Sequence, residues 1–198
     1  MTMIDERPWL AATFGVDQLR HMNEVFQPLG GGGVVTVETV LVGSVDRVVF
    51  DLGSLIGWFD NPRDRETYAI PIVRRLLELL GHFAPHWQGS IEHLHFAYQA
   101  VMQTAYKLRE DPYWLEVVVW AARAQVAIAP QVASAMLHPY GTDTPLPRHV
   151  GFERLAILAD KAGDDREVLR LCETARTQGW AGSWEKREVK AAKRLGTG

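Results

Sequence analysis

Pro145-Leu146-Pro147-Arg148-His149-Val150-Gly151-Phe152-Glu153-Arg154-Leu155-Ala156-Ile157-Leu158 leads into Lys161-Ala162-Gly163-Asp164, and then into a second segment that closes at Gly179-Trp180. The reading of this stretch decides the fold. Phe152, Leu155, Ala156 and Ala159 recur at the spacing of one helix face, and Val168, Leu171, Cys172 and Ala175 repeat that spacing on the next segment. Two such stripes separated by a short polar turn predict an antiparallel helical hairpin. Gly163 suits the left-handed position that closes a first helix. Asp164 or Asp165 can cap the second helix, Glu167 adds negative charge to its first turn, and Gly179 stops it.

Small residues at 156, 159 and 175 let two helices approach closely. On these residues the segment resembles a tetratricopeptide repeat. Phe152, Leu155, Ala156, Gly163, Asp164, Glu167 and Ala175 fall in order on that family's recurrent positions, over one period of about 34 residues. Ala159 stands where a tyrosine is usual, Val168 where a small residue is usual, and Cys172 where an aromatic is common. The wider string, with His149, Gly151, Gly182, Trp184 and Arg187 added, is similar to a C-terminal module of uncharacterised bacterial proteins. The resemblance implies a helical pair that stacks on neighbours and offers one helix face to another protein or peptide. Carried over by position, the partner-binding residues are Glu153, Ile157, Asp160 and Lys161.

Upstream, Asp111-Pro112 is a helix-start signal for residues 112–128, which are nearly apolar all round and so predict the buried centre of a bundle. Pro130 ends that helix and a short one covers 131–138; three prolines and a glycine make 139–148 a rigid loop. Ser90 opens a helix over 90–109. Residues 63–82 form another, with Pro71 either kinking it or marking a first turn. The β-branched runs 34–42 and 45–50, joined through Gly43-Ser44, predict two strands, with a helix interrupted at Gly43 as the competing reading. Gly30–Gly33 cannot hold a helix, and lacks the lysine and hydroxyl ending of a phosphate loop. A helix of about 12 residues, beginning near Val16 or Asp17, precedes it. The expected fold is mainly α: a helical bundle with tetratricopeptide-like C-terminal hairpins and a small N-terminal β-hairpin. Its segments are 1–62, 63–138 and 139–198, within one compact domain.

At 198 residues and 47% hydrophobic, the chain is long enough to bury a core. A formal net charge of −3 gives no electrostatic case for nucleic acid. The basic tail (Lys186, Arg187, Lys190, Lys193, Arg194) is interrupted by Glu185 and Glu188 and reads as the solvated face of a last helix. One cysteine, Cys172, forbids an internal disulfide and fits a reducing compartment. No signal peptide or membrane span is expected, so the cytoplasm is the default location.

Chemistry-bearing residues are sparse. His82, His86, His93 and His95 cluster, and Glu92-x-x-His95 has the spacing of two ligands on one helix face. The candidate metal ligands are His82, His86, Glu92 and His95. Asp60, Asp64 and Glu66 read as helix-capping acids, and no catalytic residue or cofactor is called for. Trp180 and Trp184 are expected to seal the end of the helical pair. The expected function is therefore a non-enzymatic adaptor or regulatory protein that binds another protein. The alternative is a metal-binding protein or metal-dependent enzyme built on the histidines. An open hairpin edge would favour a homodimer.

Overall fold

The computed structural model describes residues 2–27, 36–137 and 146–196, and helices carry most of them. The chain forms two compact units, Met1–Thr104 and Ala105–Gly198. The boundary between them, after Thr104, falls inside a helix.

In the first unit, β1 (Met3–Asp5) leads into α1 (Arg7–Thr13) and α2 (Val16–Val25). Next come α3 (Val37–Val40), β2 (Val42–Ser44), α4 (Val45–Phe59), a π-helical turn Arg65–Ala69, α5 (Ile70–Phe83) and α6 (Ile91–Lys107), whose end belongs to the second unit. An N-terminal antiparallel strand pair is present, but its members are β1 and β2, registered Met3 to Ser44 and Asp5 to Val42. Residues 37–40 and 45–50, expected as strands, are helical. The reason lies beyond residue 50. Val45, Val48, Val49, Leu52, Leu55, Ile56 and Phe59 form one helical stripe, all of it buried. Burying that long stripe outweighs the local preference of valines for strands, which is itself largely a packing effect. The Gly30–Gly33 run and residues 34–35 of the expected first strand lie outside the described residues.

Pro71 sits in the first turn of α5, directly after the π-helical turn. Glu6, buried at the start of α1, receives two hydrogen bonds from Arg75 of α5, at 2.6 and 2.9 Å. This bidentate pair fixes the N-terminus on the helical core.

In the second unit, α7 (Pro112–Ala127) is capped by the Asp111 carboxylate, which accepts from the Tyr113 N–H at 2.9 Å. α8 (Ala129–Leu137) follows, with Pro130 in its first turn. The expected loop 139–148 falls mostly outside the described residues; its end, Leu146–Arg148, is β3, paired in parallel with β4 (Trp180–Ala181). The helical pair is present as α9 (Val150–Ala162) and α10 (Asp165–Thr177), and α11 (Trp184–Leu195) packs on α10. Gly163 closes α9 at φ +74°, a left-handed conformation that favours glycine. Asp164 caps α10 by accepting from the Glu167 N–H at 3.0 Å. Phe152, Ala156, Ala159, Val168, Leu171, Cys172 and Ala175 are buried, and Leu155 is half-buried. Trp180 and Trp184 are also buried, and the Trp184 indole N–H donates to the Trp180 carbonyl at 2.6 Å.

α7 departs from expectation. Its buried residues, Trp114, Val117, Val118, Ala121, Ala122 and Gln125, lie on one face. That face packs on α9, where the Gln125 Oε1 accepts from the Gly151 N–H at 2.7 Å. Tyr113 and Trp120 remain 50% and 40% exposed.

Candidate interaction surface

The four partner-binding residues expected on the first helix of the pair do not share one open face. Glu153 accepts from Arg148 at 2.6 Å and lies 3.8 Å from Arg187 of α11. Asp160 accepts from Arg194 and, at 3.0 Å, from Lys190, both on α11. Arg194 also donates to Asp165 at 2.8 Å. These hydrogen bonds, Arg194 first and Lys190 second, hold the Asp160 carboxyl below the usual carboxylate range. Ile157 is half-buried and Lys161 exposed. The charged side of α9 is thus engaged by α11, and the basic tail spends Arg187, Lys190 and Arg194 on acids of the same unit.

The opposite side of α9 is open. Between α7 and α9 lies a hollow of about 410 Å³ whose floor includes Val119, Val126, Leu155, Leu158, Ala159 and Ala162. Arg123, Asp164, Glu167 and Arg170 stand in the same lining, giving charge of both signs. Glu167 and Arg170 are already joined, at 2.6 and 2.7 Å. A second hollow, of about 700 Å³, runs along α7 itself over Leu115, Val119, Trp120 and Ala124, with Glu116 and Arg123 beside them. A surface helix ordinarily turns a polar face outward. The outward face of α7 is apolar apart from those two charges.

No protein-family model, curated protein or solved structure matches this chain.

The histidines are distributed, not gathered. His82 and His86 line a hollow of about 270 Å³ in the first unit with Asp46, Phe83 and Trp87. Glu92 instead accepts from the Ser90 hydroxyl at 2.8 Å, and His95 is buried, its pKa pushed down to about 4 by burial. Among the described residues no group of three or more His, Cys, Asp or Glu side chains is placed to hold a metal ion. His93, a member of the cluster but not one of the candidate ligands, makes the closer contact: its Nδ1 lies 3.1 Å from the Asp46 carboxylate, and its ring packs 4.7 Å from Phe50. Burial alone would raise the Asp46 carboxyl. Hydrogen bonds from Ser44, His93 and the Ser90 backbone outweigh it and hold the group low.

Asp60 accepts from Arg65 at 2.6 Å and from the buried Thr104 hydroxyl at 2.8 Å, so it ties the α4 end to α6. Asp64 accepts from Asn61 at 2.9 Å. Cys172 is buried, and burial pushes its thiol up to about 11, which suits a core residue and not a nucleophile. Among the described residues no helix is long and apolar enough to cross a membrane.

The sequence did not point to Val119, Val126 and Leu158. The available signal was the all-round apolarity of 112–128, which exceeds what one packed face requires.

Proposed function

We propose that this chain is a non-enzymatic protein-interaction module, with α9–α10 as a tetratricopeptide-like pair and α11 as its terminal helix. The docking surface is the hollow between α7 and α9. The observation that carries this reading is the half-buried apolar floor of Val119, Val126, Leu155 and Leu158, bordered by charges of both signs. Such a groove suits the apolar face of an amphipathic helix from another protein, whose polar flanks meet the charged rim. The 13-residue lengths of α9 and α10, the glycine cap between them and the packing of α11 on α10 support the repeat-like assignment. A single, buried cysteine agrees with a cytoplasmic setting.

The experiment is affinity capture from lysate of the native host with wild type, Leu158→Glu, Val126→Glu and the Glu153→Arg/Lys161→Glu double variant. A partner kept by wild type and the double variant but lost by Leu158→Glu and Val126→Glu fits the groove. A partner lost only by the double variant would move docking to the charged side of α9. A partner indifferent to all three variants would reject both faces.

A further inference from the structure

One aromatic ring in the second unit carries two guanidinium groups. The Tyr106 ring, in the last turn of α6, has the Arg154 guanidinium carbon 3.9 Å from its centroid and that of Arg109 at 4.7 Å. Arg154 comes from α9 and Arg109 from the turn between α6 and α7. The face of a ring attracts a guanidinium but leaves its charge in place. Two such charges around one ring repel each other unless an anion joins them.

Among the described residues no carboxylate fills that role. Arg154 is half-buried, makes no hydrogen bond or ion pair among them, and keeps its Nε buried without an acceptor. Arg109 donates to the Tyr106 carbonyl at 3.0 Å. Glu110 lies 3.8 Å from it, but that carboxylate is 92% exposed, and so solvated a pair holds weakly. The other acids close in the chain are engaged: Glu153 accepts from Arg148, and Asp111 caps α7.

We infer that Arg109, Arg154 and the Tyr106 hydroxyl form a binding site for a phosphate group, carried as free phosphate or as a phosphate monoester. Two guanidiniums match a doubly charged oxyanion, whereas one would already neutralise a carboxylate. The two ring distances bring the guanidiniums close enough for one phosphate to span them, with N–H···O contacts of about 2.8 Å to each. Stacking on the ring holds the planar fork of each arginine ready for such contacts. The phenol adds an O–H donor at the edge of the ring. Arg154 is not among the residues lining the α7–α9 groove, so the site stands whether or not a partner docks there.

Isothermal titration calorimetry of the full chain at constant ionic strength tests this, with inorganic phosphate, phenyl phosphate and acetate as probes. Inorganic phosphate or phenyl phosphate should bind at one saturable site, and acetate at least about tenfold more weakly, since it carries half the charge. Arg154→Gln and Arg109→Gln should each weaken the phosphate probe at least about tenfold. Arg154→Lys, which keeps the charge and loses the fork, should fall between wild type and Arg154→Gln. Arg109 is exposed in its turn, so Arg109→Gln carries the test even if Arg154→Gln does not fold. Arg20→Gln, in the first unit, should bind as wild type does. Phenyl phosphate at least as tight as phosphate marks a monoester site, and phenyl phosphate tenfold weaker marks a site for the free ion. Absence of saturable binding overturns the inference, as does acetate as tight as phosphate. So does binding unchanged in either Gln variant of the site, or lost equally in Arg20→Gln.

Discussion

Gly151→Ala is the most informative single substitution in the second unit. Gly151 lies in the first turn of α9, against α7. An added Cβ would stand 2.7 Å from the Gln125 Oε1, 3.0 Å from the Ala122 carbonyl oxygen and 3.2 Å from the His149 ring. The carbonyl belongs to the backbone of α7 and cannot step aside without moving the helix. Gln125 is fully buried and accepts the Gly151 N–H, so displacing it strands a buried oxygen. Overpacking costs about 1–3 kcal/mol. An unsatisfied buried acceptor adds about 1–3 kcal/mol, and the two overlap, giving about 2–4 kcal/mol in all. Gly57→Ala is the counterpart. A Cβ there meets nothing within 4 Å, so removing the glycine from α4 should gain up to about 0.5–1 kcal/mol. Urea unfolding followed by circular dichroism reads both. With a slope of roughly 1–2 kcal/mol per molar, Gly151→Ala should lower the midpoint by about 1–4 M and Gly57→Ala should raise it slightly. A Gly151→Ala protein as stable as wild type would mean that α7 and α9 do not pack here, and the groove between them would lose its basis.

Three further expectations follow from single groups. The unfolded chain protonates His95 below about pH 6.5. The buried native imidazole resists protonation until about pH 4, so stability should fall as pH drops through that window, by up to about 3 kcal/mol. His95→Gln should flatten that part of the denaturation profile, and an unchanged slope would show that His95 is solvated. Gly163→Ala should cost about 1 kcal/mol through its φ of +74° alone, since no neighbour crowds the site; a neutral result in thermal melts would contradict the left-handed cap. Cys172, buried with a thiol pushed up to about 11, should react with a thiol reagent at pH 8 only after urea is added. Prompt reaction in native buffer would place it at the surface.

Local signals carried the parts of the fold that the sequence made legible. The hairpin of α9 and α10 could be read because Gly163 and Asp164 terminate and cap helices by themselves, whatever surrounds them. The same holds for Asp111-Pro112 at the start of α7. Residues 45–50 were misread because a six-residue valine-rich window cannot distinguish strand from buried helix. The stripe that decides the matter continues to Phe59 across Asp51 and Gly53. The strand partner of β2 was equally hidden, since β1 is three residues long and some forty residues away in the chain. Glu153 and Asp160 looked like partner ligands because nothing in their own helix reveals that α11 returns to neutralise them. The groove was illegible for a related reason. All-round apolarity of 112–128 says that α7 seeks cover on every side, but only the fold says which side packs on α9.

Hydrogen exchange resolved by residue, on the full chain alone and with its captured partner, is the most direct test of the interaction surface. Added protection on binding should fall on α7 and α9 around Val126, Leu155 and Leu158, with the amides around His82 and His86 unchanged. Protection confined to the histidine region of the first unit, or to α11, would contradict the account.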